Sequence, residues 1–217
     1  MNHFELVRNR MVQQQLADIR DERVLEAMRS VPRHCFVASA LENRAYDDKP
    51  LPIAKKQTIS QPWIVARMTE LLELTGSEVV LEVGTGSGYQ AAVLARVCNR
   101  VVSVERHGEL AKEAARKLQA MALHNVTVLA SDGTMGRSEF APFGAIMVTA
   151  AAPDVPRPLL EQLAPGGRMI IPVGDQDVQT LHRYTRDVED PSSFCEEHFE
   201  RCRFVPLLGR YGHQELG

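Results

Sequence analysis

One serine of this chain, Ser60, could take part in chemistry although no histidine lies near it in the sequence. Ser60 lies in QTISQPW (57–63), ahead of a glycine-rich run that starts at Gly84. Serine before Gln-Pro is typical of a helix N-cap, so the hydroxyl either caps the helix that follows or contacts a substrate. A capped helix start would also direct N–H groups toward a ligand, so the two roles are compatible.

The glycine-rich turn LEVGTGSGYQ predicts a site for a nucleotide-like ligand. Gly84, Gly86 and Gly88 follow a short apolar run, and glycines let the backbone approach a ligand closely. Their spacing is G-x-G-x-G, whereas dinucleotide binding uses G-x-G-x-x-G, and position 89 is Tyr. The pattern therefore differs from that of NAD sites. The alternative is a tight strand–helix turn with no ligand.

Two carboxylates end the strands that are predicted to follow. Glu105 comes about twenty residues after the first glycine, where a carboxylate can accept both hydroxyls of a ribose. It would reject a 2′-phosphate, so an unphosphorylated adenosine is implied. Asp132 ends the predicted strand 126–132, where its side chain is expected to contact the edge of the adenine. The alternatives are a solvated strand end for Glu105 and a simple Asp-Gly turn for Asp132.

The elements that must position these residues alternate between strands and helices. Apolar runs predict strands at 79–83, 100–105, 126–132, 145–150 and 168–174. Helical periodicity predicts helices at 61–75, 108–122 and about 156–163. This alternation indicates a parallel sheet covered on both faces, with its ligand crevice at the carboxyl ends of the strands. QTLHRYTRD and EEHFERCRFVPLL follow without a helix between them, which predicts an antiparallel edge.

The N-terminal part predicts a helical extension. Apolar residues recur at helical spacing over 4–17 and 21–30, where Asp21 is the expected N-cap, and 39–57 is expected to be loop-like. We predict one domain, with this extension and loop at 1–57, a cofactor-binding core at 58–174 and C-terminal strands at 175–217.

The composition predicts a cytoplasmic globular protein. The net charge of −3 disfavours a general nucleic-acid binder. We find no apolar run of the roughly 18 residues needed to span a membrane and no signal peptide. The four cysteines form neither a CxxC pair nor a zinc pattern, so we expect reduced thiols. His34, His124 and His182 are each predicted to be isolated surface or core residues, and no metal site is expected.

The motifs taken together resemble a known family. LEVGTGSGYQAAVLA and VVSVER are similar to the first two motifs of class I S-adenosylmethionine-dependent methyltransferases. Over about residues 11–209 the chain resembles protein-L-isoaspartate O-methyltransferases, on the segments AMRSVPRHCFV, AYDDKPLPI, QTISQPWIVARM, HNVTVLASDGTMG, FGAIMVTAAAP, LAPGGRMIIPVG and RFVPLLG. TISQP and the PLPI before it are the discriminating part.

The resemblance implies a doubly wound α/β fold, with a mostly parallel seven-stranded Rossmann-like sheet, and a specific set of site residues. S-adenosyl-L-methionine is the implied cofactor, and isoaspartyl peptides and proteins are the implied partners of a monomer. Ser60 is the implied catalytic residue and also contacts substrate, together with Thr149 and Ala150. The implied cofactor-binding residues are Thr58, Ile59, Gly84, Thr85, Gly86, Ser87, Glu105, Arg106, Asp132 and Gly133.

The implied reaction needs no strong base. An isoaspartyl link leaves the α-carboxyl free, and such a group has a pKa of about 3.3–3.7, so it is ionised near neutral pH. Ser60 would then be a hydrogen-bond donor that aims one carboxylate oxygen at the methyl group, and not a covalent nucleophile. Repair follows because the methyl ester can close to a succinimide that hydrolyses partly to normal aspartate.

Two departures from the family pattern and three alternatives stay open. AKKQ (54–57) replaces a segment in which family members often have glycines, and Leu208 and Gly209 offer no polar side chain after RFVPLL. A methyltransferase for a small molecule would share the Rossmann-like half but has no reason to share TISQP. A non-catalytic binding module is disfavoured by the intact Glu105, glycines and Ser60. A nucleic-acid base methyltransferase would carry an Asn/Asp-Pro-Pro-aromatic loop where this chain has TAAAP.

Overall fold

The computed structural model describes residues 2–175 and 177–214. Its α-helices are α1 (His3–Gln15), α2 (Glu22–Ser30), α3 (Pro62–Leu71), α4 (Tyr89–Leu94), α5 (Gly108–Ala120) and α6 (Arg157–Glu161). Its strands are β1 (Leu51–Pro52), β2 (Thr58–Ile59), β3 (Val79–Val83), β4 (Arg100–Glu105), β5 (Val126–Ala130), β6 (Phe143–Val148), β7 (Leu163–Gly174), β8 (Gln179–Arg186) and β9 (Phe194–Cys202). The segment predicted as a loop over 39–57 contains short 3₁₀ turns and one strand of the small β1–β2 hairpin.

Seven strands form one sheet in the order β5-β4-β3-β6-β7-β8-β9. The first five in this order run parallel, and β8 and β9 add an antiparallel edge. The predicted mostly parallel α/β sheet, with its antiparallel C-terminal edge and N-terminal helices, is confirmed. Strand order reverses at β3, which lies between β4 and β6, so the crevice at the carboxyl ends opens there.

Neighbouring residues of each central strand face opposite layers, because side chains alternate along a strand. Val80 and Val101 pack with buried residues of α1, α2, α3 and α4. Leu81 and Val102 pack on the other face with Leu159 of α6. The sheet is therefore covered on both faces by apolar side chains, and its strand ends are left to form a site.

β6 spans Phe143–Val148 instead of the predicted 145–150. Two other strand boundaries differ from the prediction for identifiable reasons. β5 ends at Ala130 because Asp132 caps a 3₁₀ turn, Gly133–Met135, with its side chain. β7 begins earlier than predicted because a register irregularity in β6 lets Leu163 pair with Phe143 ahead of the regular ladder. The segment LAPGG thus belongs to the strand instead of ending a helix.

Helix ends also differ from the prediction. α3 ends at Leu71, well before Gly76, because Glu73 already adopts a left-handed conformation with φ of 48°. α6 is shorter than the predicted 156–163. The predicted N-cap at Asp21 is confirmed, since its carboxylate accepts the Arg23 N–H at 2.9 Å. Within the described part of the chain, none of the helices combines the length and the apolar character needed to cross a bilayer.

Candidate functional site

Ser60 is placed by the β1–β2 hairpin, in which Leu51 pairs with Ile59. The buried Ile59 anchors the hairpin in the core, and Ser60 follows it at half-buried depth. The N-cap of α3 is Gln61, with no capping side chain, so the hypothesis that Ser60 caps this helix is wrong. No hydrogen bond to the Ser60 hydroxyl is formed by any residue that the structure describes. The hydroxyl is therefore available to a ligand.

The segment before Ser60 has a strained backbone. Lys55 and Lys56 adopt left-handed conformations, with φ of 58° and 56°. L-residues with a Cβ pay about 1–2 kcal/mol each for this region, whereas glycine adopts it freely. The resemblance places glycines in this segment in other family members, and the geometry supplies a physical reason for that choice.

The glycine turn after β3 is held against the end of β6. Gly84 has φ of +100°, and its carbonyl accepts the Thr149 hydroxyl at 2.6 Å. A Cβ on Gly84 would lie 2.4 Å from that hydroxyl oxygen. The same hydroxyl donates to the Val83 carbonyl at 3.0 Å. The turn thus packs backbone to side chain with no room for a larger residue.

Glu105 ends β4 inside the site and is almost fully buried, with 5% of its surface exposed. Its two carboxylate oxygens accept the backbone N–H groups of Gly86 and His107, both at 2.9 Å. Because the first of these groups belongs to the glycine turn, the carboxylate ties that turn to the end of β4. The bound N–H groups also hold both oxygens in fixed directions.

A network of buried polar side chains lies beneath the turn, and the sequence pattern does not indicate it. The Thr85 hydroxyl lies 2.5 Å from the Ser103 hydroxyl, which in turn contacts the Glu82 carboxyl. Glu82 is fully buried, and this burial, with a smaller contribution from nearby Glu105, raises its pKa to about 8. Glu82 is therefore mostly protonated at neutral pH, and Thr85 is among the residues that line the site above.

Asp132 is engaged by the C-terminal segment. One of its oxygens accepts the N–H and the hydroxyl of Thr134, and the other accepts the Arg210 N–H at 2.9 Å. Although partial burial raises its pKa, the hydrogen bonds from Arg210 and Thr134 hold that pKa below its ordinary value. Gly209 passes so close that a Cβ there would lie 2.2 Å from the carboxylate.

A cavity that contains the glycine turn opens at the carboxyl ends of β3 and β4, and we call it the main cavity. It brings together every site residue that the resemblance implied except Asp132, whose neighbour Gly133 is in the wall. The implied residues in the wall are Thr58, Ile59, Ser60, Gly84, Thr85, Gly86, Ser87, Glu105, Arg106, Gly133, Thr149 and Ala150.

The wall also contains residues that the sequence analysis did not assign to the site. They include Gln57, Tyr89, Gln90, His107 and the segment 205–208. That segment is seated by hydrogen bonds in which Ala151 N–H donates to Val205 and Leu207 N–H donates to Ala151. The sequence does contain an indication that this segment belongs to the site, because RFVPLLG is one of the motifs that resemble the family.

A side groove adjoins the main cavity and shares part of its lining. Its lining includes Trp63 from α3 and the two exposed cations Arg201 and Arg203. Four residues border both spaces, namely Thr58, Ser60, Thr149 and Val205. The free hydroxyl of Ser60 therefore lies at the junction between the main cavity and a side groove that is bordered by two cations.

This geometry agrees with comparisons with known proteins. A family model described as protein-L-isoaspartate(D-aspartate) O-methyltransferase matches residues 4–212. A protein-L-isoaspartate O-methyltransferase of Geobacter metallireducens is 55% identical over 212 residues, covering 97% of each chain.

Two solved structures share the fold. A protein-L-isoaspartate O-methyltransferase structure superimposes with a TM-score of 0.85 at 29% identity, covering 94% of this chain and 67% of that one. A Plasmodium falciparum structure of the same description, in complex with S-adenosyl-L-homocysteine, has a TM-score of 0.78 at 24% identity. The latter covers 96% of this chain and 99% of its own. The match to the family model spans nearly all of the sequence, and the chain belongs to the protein-L-isoaspartate(D-aspartate) O-methyltransferase family.

Proposed function

We propose that this chain transfers a methyl group from S-adenosyl-L-methionine to the free α-carboxylate of L-isoaspartyl residues in damaged proteins. The main cavity would hold the cofactor, and the side groove would hold the peptide. The position of Ser60, which lines both spaces and has an unused hydroxyl, is the observation that carries the proposal. A methyl donor on one side and an acceptor on the other would meet at that residue.

The residues of the main cavity fit an adenosine-containing cofactor. Glu105 offers the fixed, buried carboxylate that suits two vicinal hydroxyls, and the turn at Gly84 allows close backbone contact. The cofactor supplies an electrophilic methyl group on a positively charged sulfur. Because Asp132 is held by Arg210, we propose that Gly133 is the residue of this pair that contacts the base.

Ser60 would act by positioning the acceptor. The α-carboxylate is ionised near neutral pH, so no residue has to remove a proton from it. A donated hydrogen bond from Ser60 would fix one carboxylate oxygen and leave the other directed at the methyl group. Such orientation supplies the rate enhancement, because the carboxylate already carries the charge of a nucleophile and needs only to be aligned with the methyl group.

Thr149 and Ala150 would shape the junction through their backbone. The Thr149 hydroxyl is already donated to Val83 and Gly84, so it holds the glycine turn in place. The guanidinium groups of Arg201 and Arg203 give the groove a positive potential, which favours entry of a peptide with an extra carboxylate. A groove that binds mainly the peptide backbone would accept many flanking sequences, as repair of scattered damage requires.

We further propose that the chain works as a single-domain monomer in the cytoplasm. Every residue assigned to the site comes from one chain, so no second copy is needed to complete it. The four cysteines are free thiols in the structure, which suits a reducing compartment.

Paired peptides test the proposal directly. Two peptides of the same sequence, one with an isoaspartyl and one with a normal aspartyl residue, are incubated with methyl-labelled S-adenosyl-L-methionine and the full chain. We expect base-labile label in the isoaspartyl peptide alone. Equal labelling of both peptides would contradict the assigned substrate, and labelling of neither, with cofactor binding intact, would contradict the assigned activity.

A further inference from the structure

The antiparallel edge of the sheet carries a cluster of two histidines and one glutamate, outside the site described above. His182 was predicted to be isolated, which is wrong, because β8 pairs with β9 and places it directly opposite His198. Glu196 lies two residues before His198 and opposite Tyr184. Directly opposite residues and residues two apart share one face of an antiparallel pair, so all four side chains lie on the same face.

The cluster converges on one carboxylate oxygen. Glu196 Oε1 lies 2.8 Å from His182 Nδ1 and 3.0 Å from His198 Nε2. The Tyr184 hydroxyl donates to the same oxygen at 2.6 Å. The two imidazole rings lie 4.2 Å apart between centroids.

The backbone next to the cluster is shaped to bring the rings together. The register shifts between Thr180 and His182, where β9 contains one residue more than β8. Such bulges twist a strand locally and redirect a side chain. The three side chains differ in solvent exposure: His182 is 15% exposed, Glu196 43% and His198 61%. One ligand is thus fixed in the sheet and the others remain open to solvent.

From this arrangement we propose a binding site for a divalent ion of the zinc type, with His182, Glu196 and His198 as ligands. Their ligand atoms all lie within 4.8 Å of one another. Tetrahedral zinc with bonds of about 2.1 Å needs ligand atoms about 3.4 Å apart, so the present contacts would open by about half an ångström. Two imidazole nitrogens and one carboxylate oxygen are a common protein ligand set for zinc, with a fourth position left for water.

The ion would bind apart from the methyl-transfer site and would act on the sheet edge. None of the three ligands lines the main cavity or the side groove. Binding needs imidazoles with a free lone pair, so each ring would give up the hydrogen bond that it now makes to Glu196. The ion would link β8 to β9 at the edge of the sheet, in addition to the backbone ladder and the cross-strand Arg183–Glu197 ion pair.

Calorimetric titration of the untagged full chain with ZnCl₂ at pH 7.5 tests the proposal. We expect one zinc per chain, and we expect His198→Ala and Glu196→Gln each to weaken binding at least about 10-fold, since the loss of an outer-shell partner alone costs that much. His124→Ala, which removes an exposed histidine elsewhere, should leave the affinity unchanged. Tyr184→Phe should also retain zinc, because the hydroxyl is not a ligand.

Imidazole NMR signals give a second measurement that does not depend on affinity. Signals of His182 and His198 should shift together on addition of one equivalent of zinc, and the thermal midpoint should rise in the wild type but not in His198→Ala. Absence of stoichiometric binding, or equal losses in His198→Ala and His124→Ala, would overturn the proposal. Methyl transfer to the isoaspartyl peptide by each variant serves as the check that it is folded.

Discussion

Substitution of Gly84 by alanine tests whether the glycine turn is shaped as described. The new Cβ would lie 2.4 Å from the Thr149 hydroxyl oxygen, far inside contact distance. The hydroxyl would have to rotate away, which would break its bonds to the carbonyls of Val83 and Gly84. The backbone φ of +100° adds strain, because alanine does not adopt this value without cost.

The magnitude follows from these two contributions. The Thr149 hydroxyl has one proton, which the two carbonyls share, so its loss contributes about 0.5–1.5 kcal/mol. The unfavourable φ contributes a further 1–3 kcal/mol or so. We therefore expect Gly84→Ala to lower the free energy of unfolding by roughly 1.5–4.5 kcal/mol and to weaken cofactor binding as well, because the turn lines the main cavity.

Urea unfolding with a matched control measures the effect. Gly76 has a similar φ of +106°, but a Cβ there meets nothing within 4 Å, so Gly76→Ala should show the φ cost alone. In a Thr149→Ala background the contact is absent, and Gly84→Ala should then cost no more than Gly76→Ala. Equal losses for Gly84→Ala and Gly76→Ala in the wild-type background would refute the reasoning.

Three further substitutions have calculable consequences. Lys56→Gly relieves a left-handed backbone but adds unfolded-state entropy, so urea unfolding should show a gain of up to about 1 kcal/mol, and a loss would contradict the strain argument. The folded pKa of Glu82, about 8, lies above its ordinary 4.5, so the unfolded chain releases this proton first and stability falls as pH rises between those values. Glu82→Gln should remove a pH-dependent loss on the order of 3 kcal/mol by pH 7, and an unchanged pH profile would show that Glu82 is ionised in the fold. Glu105→Gln should raise the Kd for S-adenosyl-L-homocysteine roughly 10- to 200-fold by calorimetry, and an unchanged Kd would remove Glu105 from the ribose site.

Those parts of the site that depend on strand ends could be predicted from the sequence. Apolar runs located β3 and β4, and a parallel sheet places the ends of such strands at one edge, so Gly84 and Glu105 were expected together. Ser60 could be placed near them only through the resemblance, since the local sequence equally suited an N-cap. The structure separates the two roles because the helix begins one residue later, with Gln61 as its cap.

Other parts depend on contacts between distant segments, which local patterns do not encode. Glu82 meets Ser103 because the two are register partners in the β3–β4 ladder, and a shift of one residue would separate them. Asp132 meets Arg210 only after the C-terminal segment folds back across β5 and its 3₁₀ turn. His182 looked isolated for the same reason, since its neighbours lie on the next strand.

Turnover and cofactor affinity of Ser60→Ala, measured side by side, test the central claim most directly. A hydrogen bond to a charged group contributes about 1.5–3 kcal/mol, so kcat/KM for the isoaspartyl peptide should fall roughly 10- to 200-fold. The Kd for S-adenosyl-L-homocysteine should stay within about twofold, since the hydroxyl serves the acceptor and not the cofactor. Ser39→Ala, at an exposed serine remote from the cavity lining, should change neither quantity. Unchanged turnover in Ser60→Ala, or a loss of cofactor binding equal to the loss of turnover, would contradict the assignment of Ser60 as the residue that orients the carboxylate.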